Sequence, residues 1–354
     1  RNLLKSTAAA TLAPAAASLP FLGRPAFAAD IEIIHASWGG GVGKTWRGAF
    51  AEPYAAAGAA DVRIVEVPNP EAQFRAQAGA PQYNSGICTF VQGINLMNDG
   101  LVELFDIEEL PAMKAIDRKY WLTTDDGRIA GVTPYFAYYG IALNTQLAKA
   151  SDFKSWRNLA DPKWKGRLSM TRPIYLSTYD LTIMAKATGG DERNYTSGME
   201  LLTGMTKNIL NIGTSLAQQN TMLARGEVVA MPFYSVRVWS LREAGNQDVE
   251  IVIPDEGALL LPYAIVAPKG VANREATAKW LNYIASAIPQ ERGMALSGYI
   301  PASSEAKASP EIRAKLGMTF EEMRAKLYQP DWKYIAAHHK ERVEEIDRMI
   351  AATQ

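Results

Sequence analysis

The chain has 354 residues, enough for two domains at about 100–200 residues each, and 48% of them are hydrophobic against 21% charged. That balance belongs to a folded globular protein and excludes disorder over most of the length. Lys plus Arg and Asp plus Glu both number 37, so the net charge is zero; the basic excess of a nucleic-acid binder and the polybasic patch of a membrane-surface protein are both missing.

Residues 1–28 read as a secretory signal. Arg1 and Lys5 are basic, residues 6–22 are rich in Ala and Leu, and Ala26-Phe27-Ala28 is a small-x-small cleavage pattern, with the cut expected before Ala29. Arg1-Asn2-Leu3-Leu4-Lys5 is similar to the second half of a twin-arginine signal. Pro14, Pro20 and Arg24 interrupt the apolar stretch, whereas a membrane anchor needs about 20 apolar residues. The expected location is the periplasm.

The rest of the chain alternates strand-like and helical segments. Strands are predicted at 31–36, 62–67, 87–91, 140–144, 228–232, 249–254 and 263–267. Helices are predicted at 44–57, 71–78, 181–187, 218–225, 274–287, 311–326 and 332–352. Alternation of this kind implies a largely parallel sheet covered on both faces. With no repeat and no low-complexity linker after residue 30, two α/β units joined by short hinges are expected.

Trp38 is followed by Gly39-Gly40-Gly41-Val42-Gly43-Lys44-Thr45 between a strand and a helix. A phosphate-binding loop needs Gly, four residues, then Gly-Lys-Ser/Thr, and Trp38 stands where the first glycine belongs. A nucleotide-binding reading also conflicts with export. A weaker reading keeps the glycines as backbone donors for a bound anion at a helix start. Catalytic patterns are sparse. Cys88 is single and sits in an apolar run, the histidines are His35, His338 and His339, and the last two look solvated on a charged segment. No Gly-x-Ser-x-Gly, no His-Glu-x-x-His and no Cys/His ligand set occurs, so no enzyme activity, no metal and no cofactor is expected. An exported enzyme stays as the rival from another class, on acid pairs such as Asp125-Asp126 and Asp255-Glu256.

Several segments together carry a family likeness. They are Ser37-Trp38, Tyr83-Asn84 with Ile87-Cys88-Thr89, Gly131-Val132-Thr133-Pro134-Tyr135, and Tyr139 to Asn144. Trp156, Leu159, Asp161-Pro162, Trp164 to Leu168, Leu223 to Val228, and Pro254-Asp255-Glu256-Gly257 complete the set. In order and spacing, the chain from about 30 to 310 resembles family 1 extracellular solute-binding proteins, especially the polyamine-binding branch. The resemblance implies a two-lobed α/β fold of the periplasmic-binding-protein type with a ligand cleft between the lobes. It implies a monomer that binds a small molecule and delivers it to an ABC permease, with no nucleic acid as partner. Lobe 1 is expected at 29–136 and 262–310, lobe 2 at 137–261, and helices packing on both at 311–354.

The resemblance also places ligand contacts. It points to Trp38, Gly39, Gly40, Thr89, Phe90, Tyr135, Tyr138, Arg172, Tyr175, Tyr234, Arg237 and Tyr263. Polyamine binders hold ammonium groups with carboxylates. Here one such position is Tyr263, and another region reads Thr171-Arg172-Pro173-Ile174-Tyr175-Leu176-Ser177 with no acid. Arg172 and Arg237 would repel a dication and suit a carboxylate or phosphonate. The expected solute is a small organic anion or zwitterion, amino-acid-like or phosphonate-like. Polyamine binding, and ferric-iron binding through Tyr138-Tyr139, remain alternatives on the same fold.

Overall fold

The computed structural model describes residues 31–353; the expected signal segment and its expected cleavage point lie outside the described residues. Two parallel clusters of strands are joined by two long antiparallel ones. In the first cluster β1 (Glu32–Ser37) lies between β2 (Asp61–Glu66) and β3 (Ser85–Thr89). The long strand β4 (Tyr135–Asn144) comes next. In the second cluster β5 (Leu168–Met170) lies between β6 (Ile209–Ile212) and β7 (Ala230–Tyr234). β8 (Val249–Val252) adds to β4, and the long strand β9 (Ala258–Val266) closes the set. The order is β2-β1-β3-β9-β4-β7-β5-β6.

The two long strands make the architecture two-lobed. β9 pairs with β4 through Leu259 to Pro262 and with β3 through Tyr263 to Val266. β4 in turn pairs with β7 from Tyr139 to Leu143. Both are buried along almost their whole length, so their apolar runs exceed the short strands read from the sequence. The expected parallel sheet is therefore parallel only within each three-strand cluster and antiparallel along β4 and β9, inside the lobes as well as where they join. A strand needs neither Gly nor a loop to pass between lobes, and the expected crossings at 136/137 and 261/262 fall inside β4 and β9.

Several elements differ from expectation, among them the helices Thr196–Thr206 and Ala287–Ser297, which were not predicted. The strand predicted to run to residue 91 stops at Thr89, because Thr89 and Gln92 form a capping box that starts a helix at Phe90–Asn98. Another unpredicted helix, Ser235–Glu243, comes directly after β7. The C-terminal region, expected as two helices, is four: Pro310–Leu316, Phe320–Ala325, Trp332–Ala337 and His339–Thr353. Gly317 ends the first in the left-handed region at φ 69°.

The C-terminal stretch ties the halves together. The strand Leu327–Tyr328 adds to β9, helix Trp332–Ala337 packs on Phe90–Asn98, and His339–Thr353 packs on the second lobe. His338 and His339, expected in solvent, are half-buried. The Nδ1 of His339 lies 3.2 Å from Thr178 Oγ1, and burial lowers its pKa. Cys88 is buried and its thiol is pushed up by burial, as suits a packed residue and not a nucleophile. Among the described residues no helix is long and apolar enough to cross a membrane.

Candidate functional site

Between the lobes lies a cavity of about 500 Å3. The ends of strands build it. β1 ends at Ser37, and the loop Trp38 to Gly40 turns into the helical run 41–56; Gly40 adopts φ 68° and ψ −130°, a conformation that favours glycine. β3 ends at Thr89, which faces Tyr263 across the β3–β9 ladder. β7 ends at Tyr234, and Arg237 is carried on the first turn of the adjoining helix. The helical run 173–187 supplies Tyr175 and Tyr179, four residues apart, with rings 5.9 Å apart and nearly parallel at 5°.

Nine of the twelve residues expected at the site line this cavity: Trp38, Gly39, Gly40, Thr89, Phe90, Tyr175, Tyr234, Arg237 and Tyr263. Three do not. Tyr135 is 1% exposed and lies beneath the wall, stacked on Tyr299 at 4.1 Å and 5.7 Å from Tyr263. Tyr138 sits on β4 with the opposite pleat, so it faces away from Tyr135 and Tyr139 and toward Glu250. Arg172 is exposed, and its guanidinium stacks over Tyr175 at 5.2 Å and donates to the Tyr175 hydroxyl at 3.2 Å. It positions a wall residue instead of forming the wall.

The sequence reading missed Tyr179, Tyr299 and Trp332, and the smaller apolar residues Val42, Leu216 and Leu261 among others. The i, i+4 spacing of Tyr175 and Tyr179 was a legible signal. Trp332 had none, because the C-terminal helix that carries it is distant in sequence and meets the cleft only through packing. Its ring lies edge-on to Tyr179 at 6.3 Å.

The wall is aromatic and apolar, with one charge. Arg237 is the only Asp, Glu, Lys, Arg or His among the lining residues. It forms no ion pair among the described residues, while the neighbouring charges on its helix are engaged elsewhere: Glu243 with Lys315 at 3.1 Å, and Arg242 with the Val249 carbonyl at 3.2 Å. Burial raises the pKa of Tyr234 and Tyr263 well above the ordinary phenol value, and pushes Tyr299 up to about 12. These tyrosines are neutral donors at physiological pH.

The glycine loop holds the protein's own anion. Glu66 at the end of β2 accepts from the Gly40 N–H at 3.2 Å and pairs with Arg47. Those two partners, Arg47 foremost, hold its carboxyl below the usual range. A Cβ on Gly39 would lie 2.8 Å from Glu66 Oε2, and one on Gly43 would also clash with that carboxylate. The glycines therefore make room for Glu66, which takes the place a phosphate would need; Lys44 is exposed. The arrangement disfavours the nucleotide reading and explains the glycines structurally. Iron ligation by Tyr138 and Tyr139 fails on geometry, since adjacent strand residues point to opposite faces; the Tyr139 hydroxyl donates to buried Asp180 at 3.0 Å. Among the described residues no cluster of His, Cys, Asp or Glu could hold a metal ion.

Trp239 on helix Ser235–Glu243 lies against Gly298, where a Cβ would come within 2.6 Å of the indole. The contact joins the helix that carries Arg237 to the turn that carries Tyr299.

Residues 49–319 match the family described as bacterial extracellular solute-binding protein. A curated relative, the spermidine/putrescine-binding periplasmic protein 1 of Haemophilus influenzae, is 24% identical over 217 residues, 60% of this chain. The chain spans 59% of the length of that relative. Among solved structures, an ABC transporter substrate-binding protein from Bradyrhizobium japonicum USDA 110 shares 20% identity at a TM-score of 0.78, covering 91% of this chain and 99% of that one. The spermidine/putrescine substrate-binding protein PotD of Streptococcus pneumoniae shares 15% at 0.72, covering 90% and 99%. The binding protein AgtB of Agrobacterium (A. tumefaciens R10), in complex with agropinic acid, shares 17% at 0.72, covering 90% and 98%. The chain belongs to the bacterial extracellular solute-binding protein family, and its fold is that of these binding proteins.

Proposed function

We propose that this member of the extracellular solute-binding family captures a small organic anion or zwitterion in the cleft between its lobes, in the periplasm, and hands it to the permease of an ABC importer. The lobes are taken as 31–136 with 262–310 and 137–261, and the C-terminal helices brace both. The observation that carries the ligand class is Arg237, the lone charge on the cleft wall and without an ion-pair partner among the described residues. A guanidinium in a half-enclosed apolar wall has given up part of its hydration, and a carboxylate or phosphonate restores it through paired hydrogen bonds. A solved relative of this fold holds an organic acid, agropinic acid, which is the same chemical choice.

Closure gives the site its strength. Trp38, Phe90 and Tyr263 come from one lobe and Tyr175, Tyr234 and Arg237 from the other, so neither lobe encloses a solute alone. Shutting the cleft by a hinge motion excludes water and strengthens each polar contact inside. Delivery, and not chemistry, is the role such a wall suits: it presents no nucleophile paired with a base.

The second reading is a polyamine, favoured by the 24% identical relative. Aromatic faces attract ammonium groups, but no lining carboxylate is present to neutralise two of them. A thermal-shift screen of carboxylates, phosphonates and amino acids beside putrescine and spermidine separates the two. Stabilising solutes are expected among the anions and zwitterions. Micromolar or tighter binding of putrescine or spermidine, with no anion bound, overturns the proposal.

A further inference from the structure

The same cleft specifies more than the sign of its solute. A zwitterion has two charges to place. The wall offers a charged partner for the negative one at Arg237 and only aromatic faces for a positive one, since no Asp or Glu lines the cavity. An ammonium group drawn into this space would shed water without gaining a protein carboxylate, in a cavity of about 500 Å3 whose one charged lining residue is itself a cation. The buried acid Asp180 is not part of the wall, and its Oδ2 accepts from the Tyr139 hydroxyl.

The body of the solute is specified as well. Trp38 and Tyr263 meet edge to face at 5.8 Å on one side, and Tyr234 stands edge-on to Tyr179 at 6.0 Å on the other. Tyr175 and Tyr179, both on the wall, have nearly parallel rings 5.9 Å apart. Rings from both lobes facing one space suit a planar ring between them, held by offset-stacked and edge-to-face contacts. The hydroxyls of Tyr179 and Tyr234 make no hydrogen bond among the described residues, and burial keeps Tyr179 and Tyr234 protonated. They are free to donate to an oxygen on that ring.

Resting on the anion reading, we infer that the cleft selects an aromatic carboxylate bearing no ammonium group, with its carboxylate on Arg237 and its ring, carrying an oxygen substituent, between the tyrosines of the two lobes. An amino acid is disfavoured by its ammonium and an aliphatic acid by its lack of a ring.

A matched trio tests this on the full mature chain: 3-(4-hydroxyphenyl)propionate, tyrosine and tyramine share one ring and differ chiefly in charge. Titration calorimetry at neutral pH is expected to show the propionate binding at least tenfold tighter than tyrosine, with tyramine not binding. In Tyr234→Phe the propionate is expected to weaken severalfold while the unliganded melting temperature stays close to that of the parent. Tyrosine binding as tightly as the propionate overturns this inference and leaves the anion reading standing. Tyramine binding while both acids fail overturns both. Failure of all three overturns the aromatic assignment, and the broader anion screen then judges the anion reading by itself.

Discussion

Two regions of the molecule hold an arginine with no carboxylate at ion-pair distance, and they use it in opposite ways. Where the last helix meets the second lobe, Arg342 is fully buried. Its Nε donates to the Ser177 carbonyl at 3.0 Å, Nη1 to the Glu192 carbonyl at 3.0 Å and Nη2 to Thr182 Oγ1 at 2.7 Å, and the guanidinium lies 4.9 Å from the Tyr195 ring centroid. Burial lowers its pKa, yet every part of the fork is spoken for. In the cleft, Arg237 is half-buried, faces the cavity and is bound to nothing among the described residues. An arginine lacking an acid is thus no sign of a site by itself. The accounting of its donors decides, because a satisfied guanidinium is a rivet and an unsatisfied one at a cavity is poised for a ligand.

The same substitution at both positions sharpens the contrast. Arg342→Met is expected to give a large effect, a loss of about 3 kcal/mol or more, because it removes the donor from two buried carbonyls and from Thr182 Oγ1, at about 1–3 kcal/mol each. Denaturant unfolding measures it; a loss under about 1 kcal/mol would show that the joint does not depend on this residue. Arg237→Met is expected to leave the unfolding midpoint unchanged or slightly raised, since an unpaired charge is removed from an apolar wall. Its cost falls on the solute: a charge-assisted hydrogen bond contributes about 1.5–3 kcal/mol, so affinity for a bound organic anion should drop by roughly 10- to 150-fold. Calorimetry reads this, and equal affinity in parent and variant would break the comparison.

A pH-dependent effect belongs to Asp180, on the helical run that also carries Tyr179 of the cleft and Thr182 of the Arg342 joint. It is fully buried, burial pushes its pKa up to about 8, and the Tyr139 hydroxyl only partly opposes that shift. The folded state therefore holds a proton that the unfolded chain releases near pH 4. Stability from this group is full below about pH 4 and declines as pH rises toward 8. Asp180→Asn keeps the shape and removes the titration. Its melting temperature should match the parent near pH 4 and exceed it by a few degrees at pH 8. A constant difference across that range would mean that the carboxyl is solvated in the folded protein.

The sequence carried the class of fold and pointed to nine of the residues that line the cleft. Alternating strand and helix and the family likeness across about 30 to 310 placed Trp38, Thr89, Phe90 and Tyr234 where strands end at the cavity, since a residue at the carboxyl end of a strand has few places to point, while Tyr263, within β9, came from the likeness alone. Local patterns that were present but unread, such as Thr89-x-x-Gln92 and Tyr175-x-x-x-Tyr179, would have added a helix and a wall residue. Other facts had no local signature. Tyr135 and Tyr138 differ from their neighbours only in the pleat of a strand whose start was set too late. The glycines after Trp38 serve Glu66, which is 23 or more residues away in the chain. Trp332 reaches the cleft because the C-terminal helices fold back across both lobes. What the sequence determined by itself are properties of short range and of composition: periodicity, the scarcity of catalytic motifs, the arginines where acids were expected. What only the tertiary structure decided is which groups share a space, because burial and the partner of each polar atom depend on chain segments that no window of sequence contains.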